Sequence, residues 1–237
     1  MIAITGAAAV SSAGQAATLV SLSGRLEPPP VTASPRNPRQ PVASPRSTKQ
    51  PVATPRSAGI PCVKYLAKNH TYRSIWAYTT DDLGRPHQAQ AGNLTSQTQR
   101  RSKCEQEVGQ WGGPNHQGGH MIAATLKGTS QRANLVPVTT QVNLTLMKAF
   151  ENQAKRCLST PNRQVLNYTT TAFYKRNDSG VVPDHLTMSM VIQRDRDQNK
   201  RGLVTMAFRN IAYGKGPMKT MVNRMKDAAR EAGCAAS

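Results

Sequence analysis

The sequence predicts an α+β fold, with an antiparallel sheet and flanking helices that follow a disordered Pro- and Arg-rich tail. Three observations support this prediction. Proline is so frequent between residues 25 and 59 that neither a helix nor a central strand can form there. Beyond residue 61, short segments rich in β-branched and aromatic residues alternate with polar turns. Two later segments instead space their apolar residues as an amphipathic helix does.

Three regions divide the chain. Residues 1–24 are small, apolar and uncharged, and they predict either a secretory signal without its basic leader or a low-complexity tail. Polar residues interrupt this run, so a membrane span is not expected. Residues 25–60 repeat a Pro-Arg step and predict a disordered linker, a passive tether rather than a binding motif. Residues 61–237 predict one globular domain.

Within this domain the order of elements follows from local pattern. Strands are predicted in residues 71–82, 87–94, 120–126, 163–175, 184–194 and 202–210. Residues 134–141 are predicted to be extended, as a loop or a second strand. Helices are predicted at 97–109, ended by Gly109, at 142–158 and at 217–233. A glycine loop precedes His120, which heads the third strand, and residues 195–200 form a hairpin turn. The methionine-rich face of the last helix predicts core packing.

The charge of the chain points to a polyanionic partner. Lys and Arg outnumber Asp and Glu by 31 to 12, which gives a net charge of +19 at pH 7. Nucleic acid is the commonest such partner; simple solubility and attraction to anionic membranes are the alternatives. Aromatic residues make up only 5% of the chain, which argues against base stacking and favours contacts with the phosphate backbone.

The four cysteines are widely spaced, at positions 62, 104, 157 and 234. The sequence has no CxxC pair, so a zinc ribbon is not expected. In a secreted chain this even number predicts two disulfides, with three pairings open. In a cytosolic chain the same residues would be small core side chains. The first interpretation is preferred.

The central stretch carries the candidate chemistry. His120 is followed by an extended loop and then by a helix that bears Asn143 and, eight residues later, Glu151. Positions four apart drift slowly around a helix, so both side chains should lie on one side. An amide, a carboxylate and an imidazole together could hold one hydrated divalent cation beside one base. His116 and His120 are also four apart, but the glycines between them argue against a helical zinc pair.

These motifs resemble those of the DNA/RNA non-specific endonucleases, which have a ββα-metal (His-Me finger) core. The branch found in bacterial toxins and exported nucleases looks most similar, and the resemblance spans about residues 72–210. The matching stretches are Gly119-His120, Asn134-Leu135-Val136-Pro137, Asn143, Glu151 and "YTTDDLGRP" at 78–86. Their spacing fits the family pattern without a gap.

The resemblance implies one-metal hydrolysis of DNA and RNA and assigns a role to each residue. His120 would be the general base, and Asn143 would anchor Mg²⁺, with Mn²⁺ as a substitute. Glu151 would serve catalysis and the metal by holding water in the ion's shell. Gly118 and Gly119 would allow close approach of the backbone to phosphate. Asn134 would be a structural bridge that pins the loop.

The chain departs from the family in two places. Residues 143–147, "NLTLM", lack the usual Asn-Arg/Gln-Gly-x-Trp continuation, and the motif that ends in His120 also differs. Many members have Asp-Arg-Gly-His, whereas this chain has Gln117-Gly118-Gly119-His120. The missing carboxylate leaves the orientation of the imidazole open, and the role of the arginine must be filled from elsewhere. Arg85, Arg101 and Arg132 are the candidates. Arg132 is assigned to catalysis, and Arg85, Arg100 and Arg101 are assigned to nucleic-acid binding.

Other functions remain open at this level. A nucleic-acid-binding protein disabled by the change at Gln117, a toxin effector nuclease and a basic secreted structural protein all fit the composition. The expected partners are DNA and RNA, with a separately encoded immunity protein as inhibitor and without a stable membrane partner. Secretion is the expected location.

Overall fold

The computed structural model describes residues 60–194 and 201–235. The predicted segment 1–24, the predicted linker up to residue 59 and the predicted turn at 195–200 lie outside the described residues. The start of the globular domain at residue 61 stays a prediction.

Six antiparallel strands form the main sheet. They are β1 (Thr71–Arg73), β2 (Ala77–Thr80), β3 (Pro86–Asn93), β6 (Arg163–Phe173), β7 (His185–Arg194) and β8 (Arg201–Arg209), adjacent in that order. Their side chains alternate between a buried and a more exposed face, as the period of a strand requires. On β8, for example, Val204 and Met206 are buried, whereas Leu203 is 63% exposed. The α+β class with an antiparallel sheet is confirmed.

A separate two-stranded sheet carries the histidine. Strand β4 (His116–His120) pairs antiparallel with β5 (Leu135–Thr139), and His120 lies opposite Leu135. The prediction that His120 heads a strand was wrong: the residue ends β4, and the apolar stretch after it is irregular. That stretch is apolar because it is buried, with Met121 and Ile122 fully inaccessible to solvent.

The glycines around β4 serve a helix that crosses it. Helix α1 (Cys104–Trp111) packs directly on the backbone of β4. A Cβ at Gly118 would lie 2.2 Å from the carbonyl oxygen of Glu105, and one at Gly109 would lie 3.0 Å from Cα of Gln117. The prediction that Gly109 ends the helix was wrong, since α1 continues to Trp111. Position 109 is a glycine because the close approach of β4 leaves no space for a side chain there.

Two longer helices cover the sheet. The first begins with a π-helical segment (Val142–Met147) and continues as α2 (Lys148–Ser159); the second is α3 (Lys215–Glu231). The helices pack against each other, α2 on β6 and α3 on β8. Met218 and Met225 are buried, so the methionine face of α3 is core, as predicted. The described residues contain no helix that is long and apolar enough to cross a membrane.

Two disulfides close the fold, as the cysteine count predicts for a secreted chain. Cys62–Cys104 joins the segment before β1 to the first residue of α1. Cys157–Cys234 joins α2 to the segment that follows α3. The pairing, which the sequence left open among three, is thereby assigned.

Candidate active site

A pocket of about 300 Å³ lies where the end of β4 meets the π-helical segment and α2. His120, Asn143 and Glu151 all line it, and Met147 lines the same wall. The structure therefore brings together the imidazole, the amide and the carboxylate that the sequence singled out. A π-helical turn is wider than an α-helical turn and is often found at functional sites. Here it carries Asn143.

The imidazole of His120 is held at one of its two nitrogens. Its side chain is 10% exposed, and Nε2 lies 3.0 Å from Oγ of Ser130 and 3.5 Å from Oε1 of Glu105. Within the described range Nδ1 has no hydrogen-bond partner. Burial lowers the pKa of His120, against the opposing effect of the negative charge of Glu105. The ring is therefore neutral at pH 7 and can accept a proton.

The amide of Asn143 is oriented by its neighbours. Nδ2 donates a hydrogen bond of 2.8 Å to Oε1 of Gln117. This bond leaves Oδ1 on the side of Gly119, where an added Cβ would lie only 3.3 Å from that oxygen. A side chain at position 119 would collide first with Cγ2 of Val138, so the glycine is required mainly by the packing of β4 on β5. The side chain at 117 takes part in the site as an acceptor.

Glu151 has one oxygen engaged and one open. Its Oε1 accepts a hydrogen bond from Oγ1 of Thr125 and lies 3.1 Å from Nζ of Lys155. Neither contact uses Oε2, so that oxygen is available in the pocket. Among the described residues, no group of three or more His, Cys, Asp or Glu side chains is placed to hold a metal ion. A cation here would thus depend on few protein ligands.

Asn134 fixes the segment that follows the histidine. Its Oδ1 accepts from the backbone N–H of Ile122, and its Nδ2 donates to the carbonyls of Ile122 and Thr129, each at 2.8 Å. The side chain is fully buried. These are the contacts of a structural bridge across the loop, and they stabilise the backbone next to His120.

Tyr168 adds a polar group that the sequence did not single out. The residue lines the pocket from β6 and is fully buried, and in the described part of the chain its hydroxyl meets no hydrogen-bond partner. Burial raises the pKa of Tyr168, and the charge of Glu151 raises it further. The phenol is therefore protonated at neutral pH and offers a hydrogen bond to a polar occupant of the pocket. Only its place in an ordinary strand pattern was visible in the sequence.

The structure does not bring Arg132 to this pocket. The side chain is fully buried, and its guanidinium donates to the carbonyls of Val63, Lys64 and Leu135. It also lies 5.2 Å from the ring centre of Trp111. Burial lowers its pKa to about 10, so it stays charged at neutral pH. Its donors are used within the fold, which contradicts the catalytic role predicted for it.

Arg85 is likewise used within the fold. Only 6% of it is exposed, and Nε lies 2.6 Å from Oδ2 of Asp81. Nη1 donates to the carbonyls of Asp178 and Gly180, and the guanidinium lies 3.9 Å from the ring centre of Tyr174. The predicted role in nucleic-acid binding does not fit a side chain so enclosed.

Arg101 is the candidate arginine that reaches the pocket. Its side chain is 79% exposed, and Nη1 lies 3.0 Å from Oε2 of Glu105. A groove of about 840 Å³ adjoins the pocket and shares Arg101, Gly118 and Asn143 with it. Arg100 is exposed beside Arg101. The groove continues across α1 and β4, and it offers a path along which an extended polymer could lie.

The chain has relatives among known proteins. Residues 64–194, more than half of the chain, match the family model described as DNA/RNA non-specific endonuclease. A solved structure of the EndoG/EndoGI complex, concerned with EndoG inhibition, is 15% identical, with a TM-score of 0.48 over 70% of this chain and 86% of that one. A structure named extracellular nuclease is 18% identical, with a TM-score of 0.37 over 66% of this chain and 90% of that one.

Proposed function

Because the chain belongs to the DNA/RNA non-specific endonuclease family, we propose that it hydrolyses phosphodiester bonds of both DNA and RNA, with His120 as the general base and one divalent cation. The observation that carries this proposal is the shared pocket of His120, Asn143 and Glu151. A lone histidine in a loop would have no such neighbours.

The state of His120 supports its role as base. A general base must be unprotonated at working pH and must present a free nitrogen to the water that it activates. Burial lowers the pKa of His120, and its contacts to Ser130 and Glu105 both use Nε2. Nδ1 is thus the nitrogen that takes the proton from water.

The donor set fits a hard cation that keeps most of its own water. Mg²⁺ prefers oxygen ligands and retains several waters, so one amide oxygen and one carboxylate oxygen are a sufficient anchor. The contacts of Asn143 and Glu151 with other described residues use Nδ2 and Oε1, so Oδ1 of Asn143 and Oε2 of Glu151 are available to a cation. The hydroxyl of Tyr168 lines the same pocket and could donate a hydrogen bond to a polar occupant. When bound, such a cation would neutralise charge on the phosphate and the leaving oxygen.

Arg101 is the residue that we assign to the phosphate. Charge that develops on the phosphoryl oxygens is stabilised by a cation placed in advance, and an arginine can supply two donors to it. Arg101 lines both the pocket and the groove, and most of its side chain is exposed. Lys155, beside Glu151, adds a second positive charge at the same wall.

The protein recognises its nucleic-acid substrate through the phosphate backbone. The net charge of +19 attracts phosphates of either nucleic acid, and aromatic platforms for bases are scarce. This combination favours cleavage without sequence preference. The two disulfides favour a protein exported to an oxidising compartment. An inhibitor encoded separately stays a prediction.

The alternative of a binding protein disabled at position 117 is less favoured. Gln117 accepts the hydrogen bond that orients Asn143, so the residue serves the site in its present form.

Digestion of plasmid DNA and of RNA by the purified full chain tests the proposal. We expect cleavage of both substrates with Mg²⁺ or Mn²⁺, loss of cleavage in EDTA, and retained DNA binding without metal. His120→Ala should abolish cleavage and keep binding, whereas His70→Ala, at an exposed histidine of another strand junction, should behave as the wild type. Cleavage that persists in EDTA or in His120→Ala would refute the assignment.

A further inference from the structure

We propose that Glu105 is a positioning residue for His120, which holds the ring proton on Nε2 and leaves Nδ1 free to accept a proton. This inference rests on the proposed role of His120 as the base. A carboxylate thus reaches the ring from helix α1, although position 117 carries a glutamine.

The chemistry of the two neighbours of Nε2 decides the tautomer. The hydroxyl of Ser130, 3.0 Å away, can donate or accept and so is compatible with either tautomer. The carboxylate of Glu105, 3.5 Å away, can only accept. A lone pair on Nε2 would face a negative charge, whereas an N–H there is attracted by it. Glu105 therefore selects the tautomer in which Nδ1 is unprotonated.

The carboxylate itself is fixed on several sides. Its Oε1 accepts from the backbone N–H of Ser102 at 3.3 Å, and its Oε2 is paired with Arg101 at 3.0 Å. Only 13% of the side chain is exposed. The residue next to it, Cys104, is held by a disulfide to Cys62. Because these contacts already fix the Glu105 carboxylate, little side-chain conformational entropy is lost when it orients the imidazole of His120.

The backbone of α1 brings Glu105 into range. The carbonyl of Glu105 lies where a side chain at Gly118 would be, since a Cβ there would come within 2.2 Å of it. Without a side chain at position 118, α1 can approach β4 closely enough to place the carboxylate of Glu105 beside the ring of His120. Arg101 lies in the segment that precedes α1 and is paired with that carboxylate.

The tautomer can be measured directly by ¹⁵N NMR of the imidazole nitrogens. The full chain is studied without metal at a pH where the ring is neutral, and His120→Ala assigns the signals. We expect the wild type to carry the proton on Nε2. In Glu105→Gln the new amide can donate to Nε2, so a substantial fraction should shift to the Nδ1–H form. Glu107→Gln, an exposed glutamate of the same helix, removes the same charge and should leave the tautomer unchanged.

Kinetics give a second readout. In Glu105→Gln we expect kcat to fall by about 10- to 100-fold, the usual effect of losing a partner that orients a functional histidine. KM and the melting temperature should stay near the wild-type values, and Glu107→Gln should match the wild type throughout. A wild-type ring protonated on Nδ1, or a Glu105→Gln protein with unchanged tautomer and kcat, would overturn the inference. If the wild type cleaves nothing, the proposed function fails, while the ring spectrum still decides the role of Glu105.

Discussion

Substitution of Arg132 by methionine would separate a structural arginine from a catalytic one. Methionine retains much of the buried volume but removes every donor, so the main loss is that of three hydrogen bonds to backbone carbonyls. Val63 and Lys64 are exposed residues, and water can replace the arginine at their carbonyls. Leu135 is fully buried, and its carbonyl would be left without this partner.

The expected loss of stability follows from these three contacts. An unsatisfied buried carbonyl costs about 1–3 kcal/mol, and each of the other two bonds contributes about 0.5–1.5 kcal/mol. Removal of the charge offsets part of this loss of stability, because the buried guanidinium ion is itself unfavourable. The lowered pKa of Arg132 reflects this cost of burial. We expect Arg132→Met to lower the free energy of unfolding by about 3 kcal/mol. For a domain of this size that corresponds to a melting temperature lower by about 6–12 °C.

The assay combines urea unfolding, followed by circular dichroism, with plasmid cleavage below the transition. Arg132→Met should be less stable, with kcat/KM near the wild-type value in the folded protein. Arg101→Met should show the opposite pattern: stability within about 0.5 kcal/mol of wild type and kcat/KM reduced by about 10- to 100-fold. The reasoning is refuted if Arg132→Met melts with the wild type yet loses cleavage.

Two further predictions concern solution conditions. Since burial lowers the pKa of His120 below its ordinary value near 6.5, kcat/KM should stay constant from pH 8 to about 6.5 and decline only at lower pH, where the base becomes protonated; a pH profile that already breaks above pH 7 would contradict this. DNA affinity of His120→Ala should fall linearly with salt on logarithmic axes, and Arg101→Met should reduce the slope by about one; a flat response in titrations would argue against backbone contacts.

The strands and helices predicted best are those in which one face is buried, because the buried face gives their apolar residues a regular spacing in the sequence. β7 and α3 show a clear period in sequence, and the structure contains both. β4 was missed because its His-Gln-Gly-Gly-His composition is typical of a loop. Its glycines are required by the neighbouring helix, which no local pattern reveals. The π-helical turn at Val142–Met147 is invisible for the same reason, since it depends on packing.

The residues of the candidate site also fall into those that the sequence predicts and those that it does not. His120, Asn143 and Glu151 could be found from their spacing and from the resemblance to the family, and the structure places all three at one pocket. The arginines could not be ranked, because charge in a sequence does not tell whether a side chain is enclosed, as Arg132 and Arg85 are. Glu105 was overlooked because its link to the histidine crosses 15 positions and depends on how α1 meets β4.

The tight contact between Gly118 and the carbonyl of Glu105 restricts how this protein could change. A side chain at position 118 would collide with that carbonyl, so a substitution there should push α1 away from β4 and move the carboxylate of Glu105 away from His120. The strand and the helix can therefore change only together, and a redesign of residues 117–120 should include α1.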